Sequence, residues 1–335
     1  MKPLLLLAAL TLGLPSAHAV DTKGVPAAEI GGFFHLGVRS LDDSKFGQTL
    51  DKAFGDDVRA NPTFRAFKEK LGFDLEKDLN DVVVGFYPGV DPKSPQFAGV
   101  LRGRFDVAKI EAYAKSAKVD AIALGAFTGW DVDQLGSSLD GKERTATAGA
   151  TKADRTLIVF VSADTALVGN RAKLGAALDA HNGKTASFRP TTDLSAPGAP
   201  FLRIEVDVEA LKMPGDPNGL RRGVLTLGET GPNLVGTFDG QMISEAKASQ
   251  VAGQLKGVAG LLSIGLMDEA NKTPDQIAGQ RVMLELIQSL KSEAKGDHVL
   301  FSVSYDAEKA ALGMVKAMVL TKPKAAQKAK ATPGK

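Results

Sequence analysis

Residues 155–170 read RTLIVFVSADTALVGN, two apolar runs separated by little more than Ala163-Asp164. So short a connection can only fold the chain back beside itself, because a parallel pair needs a crossover of about a dozen residues or more. The pair must therefore be an antiparallel hairpin. VVVGFY (82–87) and FAGVLRGRF (97–105) flank the Pro/Gly-rich PGVDPKSP in the same way, and RRGVLTLGE and NLVGTFDGQM flank Glu229-Thr230-Gly231-Pro232. Further strands are predicted over GGFFHLGVRSL (31–41), around AIALGAFTGW, and over FLRIEVDVEAL and HVLFSVSY. In FLRIEVDVEAL, alternation predicts that Leu202, Ile204, Val206 and Val208 face the core, with Arg203, Glu205, Asp207 and Glu209 in water.

Between the strands lie segments of helical spacing: SKFGQTLDKAF, NPTFRAFKEKLGF, Val107 to about Lys118, and RAKLGAALDAHNG. A long helical pattern runs from Ser244 to about Ala270. Another starts at the capping signature Thr273-Pro274-Asp275-Gln276 and ends near Leu290, and the last follows Asp306. Hairpin-joined strands mixed with helices predict an α+β fold. KTASFRPTTDLSAPGAP (184–200), polar and carrying three prolines, reads as a linker. The expected layout is a signal peptide (1–19), an N-terminal lobe (20–183), the linker, a C-terminal lobe (201–320) and a Lys-rich tail (321–335). Each lobe is expected to be a mainly antiparallel sheet packed with helices.

FDLEK (73–77) returns as FDVAK (105–109) and YDAEK (305–309). In the last two a strand ends and a helix begins, so Asp106 and Asp306 stand where a side chain accepts from free N–H groups of the first helical turn. Phe105 with Ile110, and Tyr305 with Ala310, have the spacing of a hydrophobic staple. The motif thus reads as a joint, with Asp74 capping a shorter helix and Lys77, Lys109 and Lys309 solvated. The match of 97–117 with 299–317 suggests a weak internal duplication of one α+β unit.

LGFDLEKDLNDVVVGF, VLRGRFDVAKIEAYAK and LIVFVSADTALVGNRAKLGAALD together resemble an uncharacterised class of exported bacterial proteins. In that class a GFD segment, a GRFD strand-helix and an LVGN hairpin-helix recur in this order. The resemblance implies a secreted α+β protein and carries no catalytic residue with it.

Export is also legible in the first residues. Lys2 precedes an apolar run from Leu4 to Leu14, then Pro15 and Ala17-His18-Ala19, the form of a signal peptide cleaved near Ala19. A periplasmic or extracellular location follows, and no later segment predicts a membrane span. The chain has no cysteine, so neither disulfides nor thiolate metal sites are available and the core must hold the fold. Without Lys2 there are 40 basic residues against 39 acidic, and five of the 40 lie in the tail. A mildly acidic body with a basic tail excludes a dedicated nucleic-acid binder, whose cations cover a folded face. The tail is expected to be disordered, with weak contact to anionic surfaces.

Catalytic and ligand motifs fail on spacing. The acidic run Asp74, Glu76, Asp78, Asn80, Asp81 has Leu79 and Gly85 where a calcium loop needs glycine and glutamate. SEAK at 244–247 and 292–295 lacks the companion motifs of a penicillin-binding enzyme, and Ser244 reads as a helix cap. Gly183-Lys184-Thr185 follows a helix instead of the strand a P-loop requires. His35, His181 and His298 are too far apart in sequence for a metal pair and read as surface or strand-end residues. No catalytic, cofactor-binding or metal-binding residue is assigned, and no cofactor is expected.

The expectation is a non-catalytic envelope protein binding a protein partner or an apolar ligand. One alternative is a lipid carrier using the helix over 250–267, where Val251, Leu255, Val258, Leu262 and Leu266 form a stripe among small residues. The other is an envelope hydrolase working through Glu205 and Asp207.

Overall fold

The computed structural model describes residues 20–89, 96–140, 155–190, 194, 199–211, 219–266 and 274–321. Among them are β1 (Gly32–Gly37), β2 (Leu79–Tyr87), β3 (Gln96–Gly103), β4 (Ala121–Leu124), β5 (Phe127–Asp131), β6 (Thr156–Phe160) and β7 (Thr165–Asn170). The second half supplies β8 (Leu202–Asp207), β9 (Leu220–Thr230), β10 (Asn233–Met242), β11 (Lys291–Lys295) and β12 (His298–Asp306). The fold is α+β, as the hairpin pattern predicts.

The two expected sheets are one. All twelve strands form a single sheet in the order β11-β12-β10-β9-β8-β1-β2-β3-β7-β6-β5-β4, every pairing antiparallel. The halves join where β1 pairs with β8, Phe34 opposite Ile204 and His35 opposite Arg203. Strand pairing at this sequence distance leaves no mark on either local pattern, which is why each half reads as self-contained. Part of the segment expected as a linker is also tied down: Phe188 donates its N–H to the Val25 carbonyl at 2.8 Å, and its ring meets that of Phe33 at 4.8 Å.

Among the described residues ten helices pack on this sheet. α1 (Val38–Asp43), α2 (Lys45–Arg59), α3 (Pro62–Ala66) with its π-helical continuation Phe67–Leu71, and α4 (Leu75–Asp78) lie between β1 and β2 in sequence. α5 (Val107–Ser116), α6 (Val132–Asp140) and α7 (Arg171–His181) belong to the first half, and α8 (Glu245–Leu266), α9 (Pro274–Ser289) and α10 (Ala307–Thr321) to the second. Asn61 caps α3 by accepting from the Thr63 N–H at 2.9 Å, with Pro62 in its first turn. Neither α6 nor the edge strand β11 is part of the sequence-based expectation. Yet Asp131 accepts from the Gln134 N–H at 3.0 Å, and Leu135 and Leu139 are buried one turn apart.

The first half has three layers. On one face α7 supplies Leu174, Ala177 and Leu178 against Phe33, Val83, Val100, Leu157 and Leu167. On the other, Leu71, Phe73, Ile110, Ala114, Leu135 and Leu139 cover Trp130, Ile158 and Leu101. The second half has helices on this latter face only. There Phe46, Ala307, Ala310 and Ala311 close over Leu202, Leu227 and Leu234, while Ala248 and Ala252 sit with Met242, Val299, Phe238 and Phe301. Its opposite face mixes polar and apolar side chains, with Thr226 and Thr237 paired across the strands and their hydroxyls 2.6 Å apart.

The repeated aromatic-Asp motif behaves as a joint, with one difference. Asp106 accepts from the Lys109 N–H at 3.0 Å and Asp306 from the Lys309 N–H at 2.9 Å. Asp74 makes no cap bond and pairs instead with Lys68 at 2.9 Å. The free N–H there is that of Asp74 itself, and it donates to the buried Asp78 carboxylate at 2.8 Å. Phe73 and Phe105 stack on each other at 5.0 Å, so two copies of the motif meet in the core. The units β3–α5 and β12–α10 share their local design but not their place: β3 is two strands from β1, whereas β12 is three from β8.

Candidate functional site

Directly paired residues of an antiparallel sheet share a face, so a transverse row can be followed through the registers. From β12 to β5 it runs Phe301, Phe238, Leu225, Ile204, Phe34, Val84, Gly99, Val168, Ile158, Trp130. Ten strands contribute one residue each, and apart from Gly99 every one is a large apolar side chain. Both ends of the row are roofed, Trp130 and Ile158 by helices of the first half and Phe238 and Phe301 by α8.

The centre is open. Ile204 is 36% exposed and Leu225 39%, Phe34 and Val84 are half-buried, and none of the four belongs to a core cluster among the described residues. The gap lies where the helices of the two halves do not meet. One end is closed by Leu41 and Phe46, packed with Leu202 and Leu227. Toward the other end the next row on the same face is Phe86, Gly32, Val206, Gly223, Gly240. The two glycines of β9 and β10 leave bare backbone over which the Phe238 ring lies. A Cβ on Gly223 would come within 3.2 Å of that ring and one on Gly240 within 2.6 Å. The Phe238 ring fills the space those glycines leave and lies close against the backbone at the roofed end of the row.

This corrects the reading of β8. Alternation is present and Leu202 packs in the core as expected, but two positions depart: Arg203 is 4% exposed and Ile204 36%. Arg203 lies beside His35 on the face covered by the first-half core, and period-2 patterning cannot say which side receives cover. His35 is likewise corrected from a strand-end residue to a buried one, 2% exposed in the middle of β1, with Nε2 3.4 Å from Asp81 Oδ1 and Nδ1 unpartnered.

The three carboxylates singled out in β8 and after it do not converge on a shared centre. Glu205 pairs with Arg203 at 2.6 Å, Asp207 with Arg222 at 3.3 Å and Glu209 with Arg221 at 2.8 Å. In the acidic run, Asp78 is buried and accepts from Arg104 Nε at 2.9 Å. Ser244 caps α8, accepting from the Lys247 N–H at 3.2 Å, and Ser292 on β11 donates to the Ala252 carbonyl at 3.3 Å. His298 contacts Asp239 at 2.6 Å, and burial lowers the pKa of His181, helped by the nearby Lys23. Gly183-Lys184 follows α7, with Lys184 Nζ on Asp179 at 3.1 Å. No cluster of metal-ligating side chains occurs among the described residues.

Along α8, Ala248, Val251 and Ala252 pack on the sheet. The side chains of Leu255, Val258, Leu262 and Leu266 fall outside the described residues, as do Thr273, the signal segment 1–19 and the tail beyond Thr321. No described helix is long and apolar enough to cross a membrane.

Fold and stripe together define an α+β protein built on one twisted antiparallel sheet with an open apolar band across its helix-bearing face. No family model and no curated protein matches the chain. Among solved structures, crystal form I of TP0453 is similar at 11% identity and a TM-score of 0.43, over 89% of this chain and 98% of its own. Crystal form III of TP0453 is similar at 12% identity and 0.47, over 89% and 98%.

Proposed function

We propose that this is an exported, non-catalytic binding protein of the cell envelope that holds an apolar chain along the open centre of the stripe. The observation that carries the reading is the exposure of Ile204 and Leu225 inside a continuous apolar row. From Leu225 to Val84 the open part crosses four strands, about 14 Å at the usual strand spacing. It is one side chain wide, which suits a single linear acyl chain better than a ring system. The Lys-rich tail would add a salt-sensitive attraction to anionic surfaces.

Covering the exposed parts of Ile204 and Leu225 is worth about 1–2 kcal/mol, a little over a third of the full burial of each side chain. The test is titration of the mature chain with a fluorescent single-chain fatty acid. The double substitution Ile204→Asp, Leu225→Asp should weaken binding by about tenfold or more, since it removes that burial and sets two charges in the path. Most of each side chain is buried on a central strand, so the variant should also lose stability, and its affinity is compared once a circular dichroism spectrum shows that it folds. Equal affinity of the two proteins, or no binding by the unaltered one, would reject the proposal.

A further inference from the structure

A second site is built from the first copy of the repeated motif. A cavity of about 220 Å³ lies between α2, α3 and α4, and its apolar lining is Val58, Phe64 and Leu75. Val58 is 36% exposed and Phe64 39%, so two of the eight large apolar side chains exposed among the described residues face this one hollow. Leaving both in water is uneconomical unless something covers them.

The polar lining is divided unequally. Its acids are engaged, Asp74 by Lys68 at 2.9 Å and Glu76 by Arg59 at 3.4 Å. The hydrogen bond from Lys68, with a smaller pull from Lys77, holds the Asp74 carboxyl below the ordinary range, so it stays charged and occupied at neutral pH. The side chains of its other cations, Arg65 and Lys77, are exposed and make no hydrogen bond or close ion pair among the described residues, though Lys77 lies near enough to Asp74 to pull on its carboxyl. The hollow thus offers an apolar interior and two uncommitted positive charges at the rim.

We infer that this cavity binds a small amphiphilic anion, a compact apolar group carrying one phosphate, sulfonate or carboxylate. The apolar group would lie on Phe64 and Val58, and the anion between Arg65 and Lys77. Arg65 suits an oxyanion because its guanidinium can donate two parallel bonds. The volume is below that of the pockets that enclose a drug-sized molecule, roughly 300–1,000 Å³, so the apolar part is no larger than about one aromatic ring.

The site is separate from the stripe and is tested separately, by calorimetric titration of the full mature chain with phenyl phosphate, inorganic phosphate and benzyl alcohol. Phenyl phosphate should bind, and each of the other two should bind about tenfold more weakly or worse, because each supplies only one of the two features. Arg65→Glu with Lys77→Glu should abolish phenyl phosphate binding. Both residues are exposed and unpaired, so a circular dichroism spectrum should confirm that this variant folds. Phe64→Ser should weaken binding without changing its salt dependence, whereas Ile204→Asp, Leu225→Asp should leave it unchanged. The inference is overturned if phenyl phosphate does not bind up to roughly 10 mM. It is overturned equally if inorganic phosphate binds as well, or if the charge-reversed variant retains affinity.

Discussion

The three copies of the aromatic-Asp motif allow one mutation to be made in three contexts whose local bonding differs. Asp106→Ala removes the bond from the Lys109 N–H and Asp306→Ala the bond from the Lys309 N–H. An aspartate cap contributes about 1 kcal/mol, within a range of roughly 0.5–2. Asp74→Ala removes no well-formed cap bond, only a weak contact with the Glu76 N–H and a pairing with a lysine that is 65% exposed, and such pairs contribute about 0–1 kcal/mol. Asp78 keeps satisfying the N–H of residue 74 in that variant, because the bond is to backbone. At a urea slope of about 2–3 kcal/mol per molar, a loss of 1 kcal/mol lowers the midpoint by roughly 0.3–0.5 M. Urea unfolding at pH 7 should therefore show clear, similar shifts for Asp106→Ala and Asp306→Ala and a smaller one for Asp74→Ala. Asp106→Asn, which keeps an accepting oxygen, should recover most of the loss. If Asp74→Ala costs as much as the other two, or Asn fails to rescue, capping is not what the motif is for. Loss of ligand binding in Asp106→Ala at unchanged stability would be equally damaging.

Two further variants probe polar groups on which the frame depends. Asp78→Ala strands the partly buried Asp74 N–H and should cost about 1–3 kcal/mol, and Arg104→Ala, which leaves the buried Asp78 carboxylate without its cation, should cost at least about as much; a urea midpoint unmoved by either would contradict this. Hydrogen bonds from the Ser162 and Thr165 hydroxyls hold the Asp164 carboxyl below the ordinary range. A depressed folded pKa gives stability that is present above the unfolded value of about 3.9 and lost as pH falls through the folded one. The stability gap between the unaltered chain and Asp164→Asn should be flat through neutrality and close below about pH 4, and a gap that widens on acidification would refute the assignment.

The hairpins, the α3 cap and the Asp106 and Asp306 caps were legible because each depends on residues within a few positions of one another. The missed elements had weaker but real signals. α6 carries a capping aspartate and two leucines four apart, hidden behind the glycine and serines of DVDQLGSSLD. β11 alternates Lys291, Glu293 and Lys295, the charged pattern that keeps an edge strand from pairing further. The closure of two halves into one sheet had no local signal, since β1 and β8 meet through backbone bonds that any sequence makes. Neither did the stripe: it takes one residue from each of ten strands, so no window along the chain contains more than two of its members. For the same reason the alternation of β8 gives its period but not the cover over Arg203 or the opening over Ile204.

The same strands supply the comparison that separates the stripe from an incidental patch. On β9, β10 and β12, one step along the chain from Leu225, Phe238 and Phe301, the residues are Thr226, Thr237 and Ser302, which pair with one another on the opposite face. That face carries small polar side chains in this row, beside one in which Val224 and Leu300 flank Asp239. Threonine would suit the open centre as well as Ile204 or Leu225 does, at no cost to β propensity. They keep instead the apolar character of the roofed residues on either side of them. Gly223 and Gly240 serve the roofed end of the row: a Cβ at either would crowd the Phe238 ring that lies on them. Among the described residues no helix roofs this stretch of the apolar row, and it is there that the proposed ligand would lie.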